Sequence, residues 1–490
     1  MVTDGSCISR SMSGVDAREQ LYTAEFWYSR RSALAFLAAL FLLVQSLSYL
    51  IPPFQSPDEF YHLKRAYLLS AGTVLLDKEN GVSGGYIDTG LLDYMSHYRQ
   101  GQWFFYAAAD PPSKAKPALA KEIRWSGRVA FSDVPNVAVY FPLPYLPQAI
   151  AFVVGKSTGL TVASSYYLAR WLSLVAALSI LCAACFLYPV PPLVAVLFLM
   201  PMTIYQLGSA SLDGVSFSTV ALTGALYMRA ATKEYSFTTG MQIFLALCLF
   251  SLATTRINLI VLTVLPAALY TVRRSYSYFI TSGVALLLSL AWTFFAVSTV
   301  SGGHGNAPEV RSQMTTYYLH HPGSFLEIVV NTLTNASLLS FYWRMFVGVF
   351  GWSGIEFSDG GTFKEWGIFL SPVDYVSFGL LLAIVTCFSF RWRLALSLCS
   401  PSIWLVVATV LSACLILPIL LVTWTPQAAK FIFGIQGRYF IPTVILLSFA
   451  LPGARLVGNS AMALRALLLL AAIISVTVMP PVLLSAWWGN

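Results

Sequence analysis

Ile51-Pro-Pro-Phe-Gln-Ser-Pro-Asp-Glu-Phe-Tyr-His-Leu-Lys-Arg-Ala-Tyr-Leu-Leu-Ser-Ala-Gly72 follows directly on an apolar run long enough to cross a membrane. Between Asp58 and Arg65 it places two adjacent carboxylates, a histidine and two cations, in a chain only 10% charged. Such a cluster at the exit of a span is costly to hold unless it is solvated or used. The stretch also reads as a helix start: Ser56 as cap, Pro57 at the first helical position, and Glu59 closing a Ser-x-x-Glu capping box. Gly72 is the expected stop.

Working outward, the apolar run Ala33–Ile51 is the first span, and Arg30 and Arg31 before it place the N-terminus in the cytoplasm. No small-residue cleavage site follows the run, so it reads as an uncleaved span rather than a removable signal. With 490 residues, 57% of them hydrophobic, the chain is predicted to be an all-α polytopic membrane protein. The net charge of +8 is carried by cations beside apolar runs, which reads as orientation signals and contacts to membrane lipids, not as a nucleic-acid surface. Cys182 and Cys185 lie inside a span without a second pair and read as buried thiols.

The spacing predicts about eleven transmembrane helices. After a cytoplasmic segment, 1–32, and the first span, 33–51, a large extracytoplasmic loop covers 52–165. Within that loop Val139-Tyr-Phe-Pro-Leu-Pro-Tyr-Leu-Pro-Gln148 and the short apolar piece to Gly155 predict a juxtamembrane or re-entrant helix, not a span. A bundle over 166–300 contains spans at about Tyr166–Tyr188, Leu193–Leu207, Gly214–Ala230, Met241–Thr254, Ile257–Thr271 and Tyr278–Val300. A second extracytoplasmic segment, 301–372, carries an amphipathic stretch, Phe325–Phe350, expected to lie on or dip into the membrane. The C-terminal part, 373–490, holds spans at about Val373–Phe390, Ser402–Val422, Tyr439–Ala454 and Ala466–Ser485. This count puts Arg229 with Lys233, Arg273 with Arg274, Arg391 with Arg393, and Arg455 with Arg465 on the cytoplasmic side, and Trp487 and Trp488 at the outer interface.

With that topology four polar clusters share the outer face: Asp58 to Arg65, Gln206 to Asp213, Arg256 with Asn258, and Gln436-Gly-Arg-Tyr439. Asp58, His62 and Arg65 fall on one helical face, with Glu59 turned about one position round. Asp58 can act as general base on an acceptor hydroxyl, or, like Glu59, simply favour the helix dipole. Arg438 and Arg256 can fork a phosphate or contact headgroups, and Gly437 leaves room for a ligand to approach the backbone. Asp213, an anion beside two spans, needs a partner or caps a helix. His320-His321 cannot both face one site on a helix and read as a structural loop, and the Asn335-Ala-Ser337 sequon carries no weight.

Pro52-Pro-Phe-Gln-Ser-Pro-Asp-Glu-Phe-Tyr-His62, Tyr140-Phe-Pro-Leu-Pro-Tyr145, Gln206 through Gly214, His321-Pro322, Phe350-Gly-Trp352 and Gln436-Gly-Arg-Tyr-Phe-Ile-Pro442 occur in this order. In them the chain resembles the bacterial integral-membrane family catalogued as domain of unknown function 2142, which is similar to the GT-C superfamily of membrane glycosyltransferases. The resemblance implies a GT-C-like fold and a polyprenyl-phosphate-linked sugar donor. It also implies transfer to an envelope glycan or lipid acceptor on the outer face of the cytoplasmic membrane. Carried over, Asp58 and Glu59 would be the catalytic carboxylates, with His62, Arg65, Asp213, Arg256, Gln436, Arg438 and Tyr439 binding substrate and lipid phosphate. A divalent metal, Mg or Mn on Asp58 and Glu59, is left open by the resemblance. The rival reading is a flippase or transporter of lipid-linked sugars.

Overall fold

The structure is a computed structural model that describes residues 30–99, 119–134, 137–300, 305–357, 363–389, 400–451 and 459–488. It is mostly helical. The first helix, α1 (Arg30–Ser48), carries nineteen residues, about 28 Å at 1.5 Å per residue, with Leu37, Leu40, Val44 and Leu47 turned inward. The chain then folds a small domain: α2 (Glu59–Ser70), β1 (Asp77–Glu79), β2 (Val82–Asp88), α3 (Thr89–Arg99) and β3 (Val129–Asp133). The strands pair antiparallel in the order β1-β2-β3. A helical turn, Leu143–Tyr145, leads into α4 (Leu146–Ser157). At twelve residues, about 18 Å, α4 is too short to cross, as its prolines lead one to expect.

The bundle follows: α5 (Val162–Leu187), α6 (Pro192–Phe198), α7 (Pro201–Leu207), α8 (Asp213–Ala231), α9 (Thr239–Thr255), the helical turns Ile257–Arg273, and α10 (Ser277–Thr299). Nearly every residue of α8 is buried, which makes it the hub of the bundle. Gly224 on α8 lets α8 press against Phe449, whose ring would lie 2.5 Å from any added Cβ. Three helices, α11 (Pro308–His320), α12 (Pro322–Thr334) and α13 (Ala336–Gly348), lead into a hairpin of β4 (Val349–Phe357) and β5 (Phe363–Phe369). The last helices are α14 (Pro372–Ser389), α15 (Pro401–Thr423), α16 (Ile441–Ala450) and α17 (Asn459–Trp487).

Several expectations need correction. Two small sheets interrupt the predicted all-α chain. Each predicted span falls on helical structure, and among the described residues five stretches are long and apolar enough to cross a membrane by length and composition: Arg30–Ser48, Val162–Leu187, Ser277–Thr299, Pro401–Thr423 and Met462–Trp487. The predicted span Leu193–Leu207 is two seven-residue helices, broken before Pro201, which cannot continue a helix hydrogen-bond ladder. The interfacial stretch divides: α12 exposes Leu326, Val330 and Leu333 on one face, whereas α13 buries Leu338, Phe341, Met345 and Val347 in the protein. The sequon asparagine, Asn335, caps α13 by accepting from the Leu338 N–H. His320 and His321 each bond a carbonyl of their own helix. Arg391, Arg393 and Arg455 lie outside the described residues. At the far end of the chain the Trp488 indole donates to the Leu50 carbonyl, which joins the end of α17 to the end of α1.

Candidate functional site

The segment between α1 and α2 is laced down before any charge is considered. Arg170, on α5, spends all five of its N–H donors here: on the carbonyls of Ser48, Ile51 and Pro52 and on both oxygens of Glu59. Tyr205 donates to the Gln55 carbonyl at 2.6 Å, and the Trp352 indole donates to the Phe54 carbonyl. The Ser56 hydroxyl donates to Gln206 at 3.0 Å instead of capping the helix. The helix begins at Glu59, and its cap is Asp58 in the left-handed region at φ 61°, with no side-chain cap bond. Aspartate tolerates that region better than most residues, yet it is an uncommon conformation, costing of order 1 kcal/mol or more. It frees the Asp58 carboxylate from helix capping.

Glu59 and Asp58 consequently part ways. Glu59 is fully buried and also accepts from the Tyr166 hydroxyl at 2.9 Å and the Ala210 N–H at 2.9 Å. Asp58 keeps 31% of its side chain exposed and touches Arg438 at 3.5 Å.

Arg438 reaches this point from the other end of the chain, on the turn Gly437–Phe440 before α16. Its Nε donates to Gln436 at 2.6 Å, and one terminal nitrogen donates to Asp213 at 3.0 Å. The second Asp213 oxygen is held by Arg256, which stands between α9 and the following turns. Asp213 opens α8, where the helix dipole favours a carboxylate. Both guanidinium groups lie over the Tyr439 ring, at 5.6 Å for Arg256 and 5.5 Å for Arg438. Gly437 gives close approach, but to the protein itself: an added Cβ would stand 2.0 Å from the Tyr342 carbonyl of α13.

His62 completes the wall. Its Nδ1 meets the Tyr145 hydroxyl at 2.8 Å, and its ring stacks toward Tyr140. Burial pushes the imidazole pKa below its ordinary value, only partly opposed by Asp58 and Asp213, so His62 stays neutral. With His62 neutral, Asp58 and Asp213 balance Arg256 and Arg438. Burial likewise pushes the Tyr145 hydroxyl well above its ordinary range, keeping it protonated.

The fold thus gathers Asp58, His62, Asp213, Arg256, Gln436, Arg438 and Tyr439 at one place. Arg65 stands apart: it donates to the Val74 carbonyl at 2.8 Å, and its other guanidinium nitrogens meet no acceptor among the described residues. Three contributors went unassigned in the sequence. Arg170 was visible as an arginine early in an apolar run, and Tyr140 and Tyr145 as aromatics flanking closely spaced prolines. A divalent cation does not suit this donor set. The Glu59 oxygens face Arg170, Asp58 and Asp213 face guanidinium groups, and among the described residues no three His, Cys, Asp or Glu gather as metal ligands.

A family model described as a predicted membrane protein, DUF2142, matches residues 40–447, which takes in every member of the cluster. No curated protein and no solved structure matches the chain.

Proposed function

The chain belongs to the DUF2142 family of predicted membrane proteins, and we propose that it is a GT-C-type glycosyltransferase. In this reading about eleven spans carry an outward-facing site in the bacterial cytoplasmic membrane. A sugar passes there from a polyprenyl-phosphate donor to an envelope glycan or lipid acceptor.

One observation carries the reading: Asp213 holds two arginines side by side, and the partly exposed Asp58 rests on one of them through the longest ion-pair contact of the group, 3.5 Å. An incoming phosphate competes most easily for that contact, since two guanidinium forks suit its oxygens. Displacing Asp58 frees a carboxylate beside the bound donor. The acceptor hydroxyl then attacks the anomeric carbon, and Asp58 takes its proton. The bond from that carbon to the phosphate oxygen breaks, and the polyprenyl phosphate leaves with the electron pair, its charge met by Arg438 and Arg256. His62, neutral and fixed by Tyr145, lines the site without adding charge.

Moving a lipid-linked sugar across the bilayer would call for ionisable groups along the translocation path, whereas Asp58, Asp213, Arg256 and Arg438 stand at helix ends. The test uses membranes carrying wild type, Asp58→Asn or Arg438→Ala and a labelled polyprenyl-phosphate sugar. Loss of transfer in both variants is expected; wild-type transfer in both would overturn the proposal.

A further inference from the structure

A cavity of about 300 Å³ opens between the end of α1 and the first turns of α5, with Arg170 in its wall and Asp58 outside its lining. Gln45 and Tyr49 line it from the first span, and Ser164, Tyr167 and Trp171 line it from α5. The α5 residues recur at intervals of three and four and so share one helix face. The Tyr49 and Tyr167 rings stack at 6.2 Å. Leu168 and Leu174 of α5 and Leu207 of α7 add to the apolar part of the lining.

Three observations define what would fill it. First, the one cation in the wall has nothing left to give, because every Arg170 donor is already taken. A phosphate or carboxylate would find no free positive charge there. Second, Gln45, half-buried on the first span, lines the cavity, and its amide makes no side-chain hydrogen bond among the described residues. That amide offers the cavity both a donor and an acceptor. Third, the remaining polar groups are the hydroxyls of Ser48, Ser164, Tyr49 and Tyr167, set among three aromatic side chains with leucines in the same lining. Aromatic faces, an amide and a hydroxyl suit a neutral polyhydroxylated ring, and the leucines suit an attached hydrocarbon chain.

We propose that this cleft is a second ligand site, separate from the arginine cluster, that takes the uncharged sugar headgroup of a glycosylated amphiphile entering laterally from the membrane. Neither the phosphate nor the chemistry assigned to Asp58 is involved, so the site stands or falls independently of sugar transfer.

The test uses the full chain in phosphatidylcholine nanodiscs with a photoreactive alkyl maltoside, and maps the labelled residues by mass spectrometry. Label is expected to concentrate on 45–49 and 164–174. It should be displaced by excess dodecyl maltoside but not by dodecyl phosphocholine, and fall about tenfold in Trp171→Leu and in Gln45→Leu, corresponding to about 1.4 kcal/mol each. Equal displacement by both detergents marks an ordinary lipid-facing groove and overturns the proposal, as does label spread evenly over the lipid-facing helices. The displacement arm needs only the wild-type chain, so a variant that fails to fold does not spare the proposal.

Discussion

Asp58 and Glu59 are neighbours in the chain and opposites in the fold. Glu59 sits at the centre of a knot made by Arg170, Tyr166 and the Ala210 N–H, with no exposed surface. Asp58 sits one residue away at the edge of the arginine cluster, partly exposed and, among the described residues, with its carboxylate held by one long contact. A carboxylate with its oxygens filled holds architecture together, whereas one with a weak contact and solvent access can exchange partners and protons. The left-handed backbone at Asp58 separates the two, because it starts the helix after Asp58 and sends the adjacent side chains into different surroundings.

Breaking the Glu59 knot is expected to have the largest effect. Glu59→Gln leaves Arg170 buried beside an uncharged amide, and removing one partner of a buried pair costs about 3–5 kcal/mol. Thermal unfolding in detergent should show a large fall for Glu59→Gln and little change for Asp58→Asn. Equal falls would erase the distinction between the two carboxylates.

Asp58→Asn tests the other side of the contrast. With the fold intact, transfer from a labelled polyprenyl-phosphate sugar should fall roughly a hundredfold to ten-thousandfold, the usual worth of a positioned general base. Retained transfer would return Asp58 to the role of a helix-start carboxylate.

Gly437→Ala acts on how Arg438 is delivered. The new Cβ collides with the backbone of α13, so the turn has to move, at about 1–3 kcal/mol for overpacking. Both melting temperature and transfer should drop, and restoring a compact neighbour at Tyr342 should not help, because the clash is with its backbone carbonyl.

The smallest effect is on pH dependence. Burial keeps the folded-state pKa of His62 below its ordinary value of about 6.5. Its contribution to stability is complete above that pH. It drains as pH falls, because the unfolded chain takes up a proton the folded chain resists. Melting curves at about pH 7.5 and about pH 5.5 should therefore differ less in His62→Gln than in wild type; an unchanged difference would mean that His62 is not the titrating group.

Much of the architecture was legible along the chain. Apolar runs predicted helices, and closely spaced prolines predicted a short α4. The two sheets were not legible: β2 is a glycine-containing strand within a loop, and the hairpin of β4 and β5 begins only where the expected interfacial stretch Phe325–Phe350 ends. The same limit explains α13, whose apolar face would look identical against lipid or against protein.

By itself the sequence determined that the chain is a membrane protein, where its apolar helices lie, and which polar residues flank them. Those are local matters of transfer free energy and can be read residue by residue. Only the tertiary structure decided which ends meet. Asp58 and Arg438 are 380 residues apart and come together because α8, buried on nearly all sides, gathers the other helices around it. The tertiary structure also decided that Glu59 belongs to Arg170 and Asp58 to the cluster. That choice depends on a backbone angle and on partners more than a hundred residues away, and no local pattern encodes it.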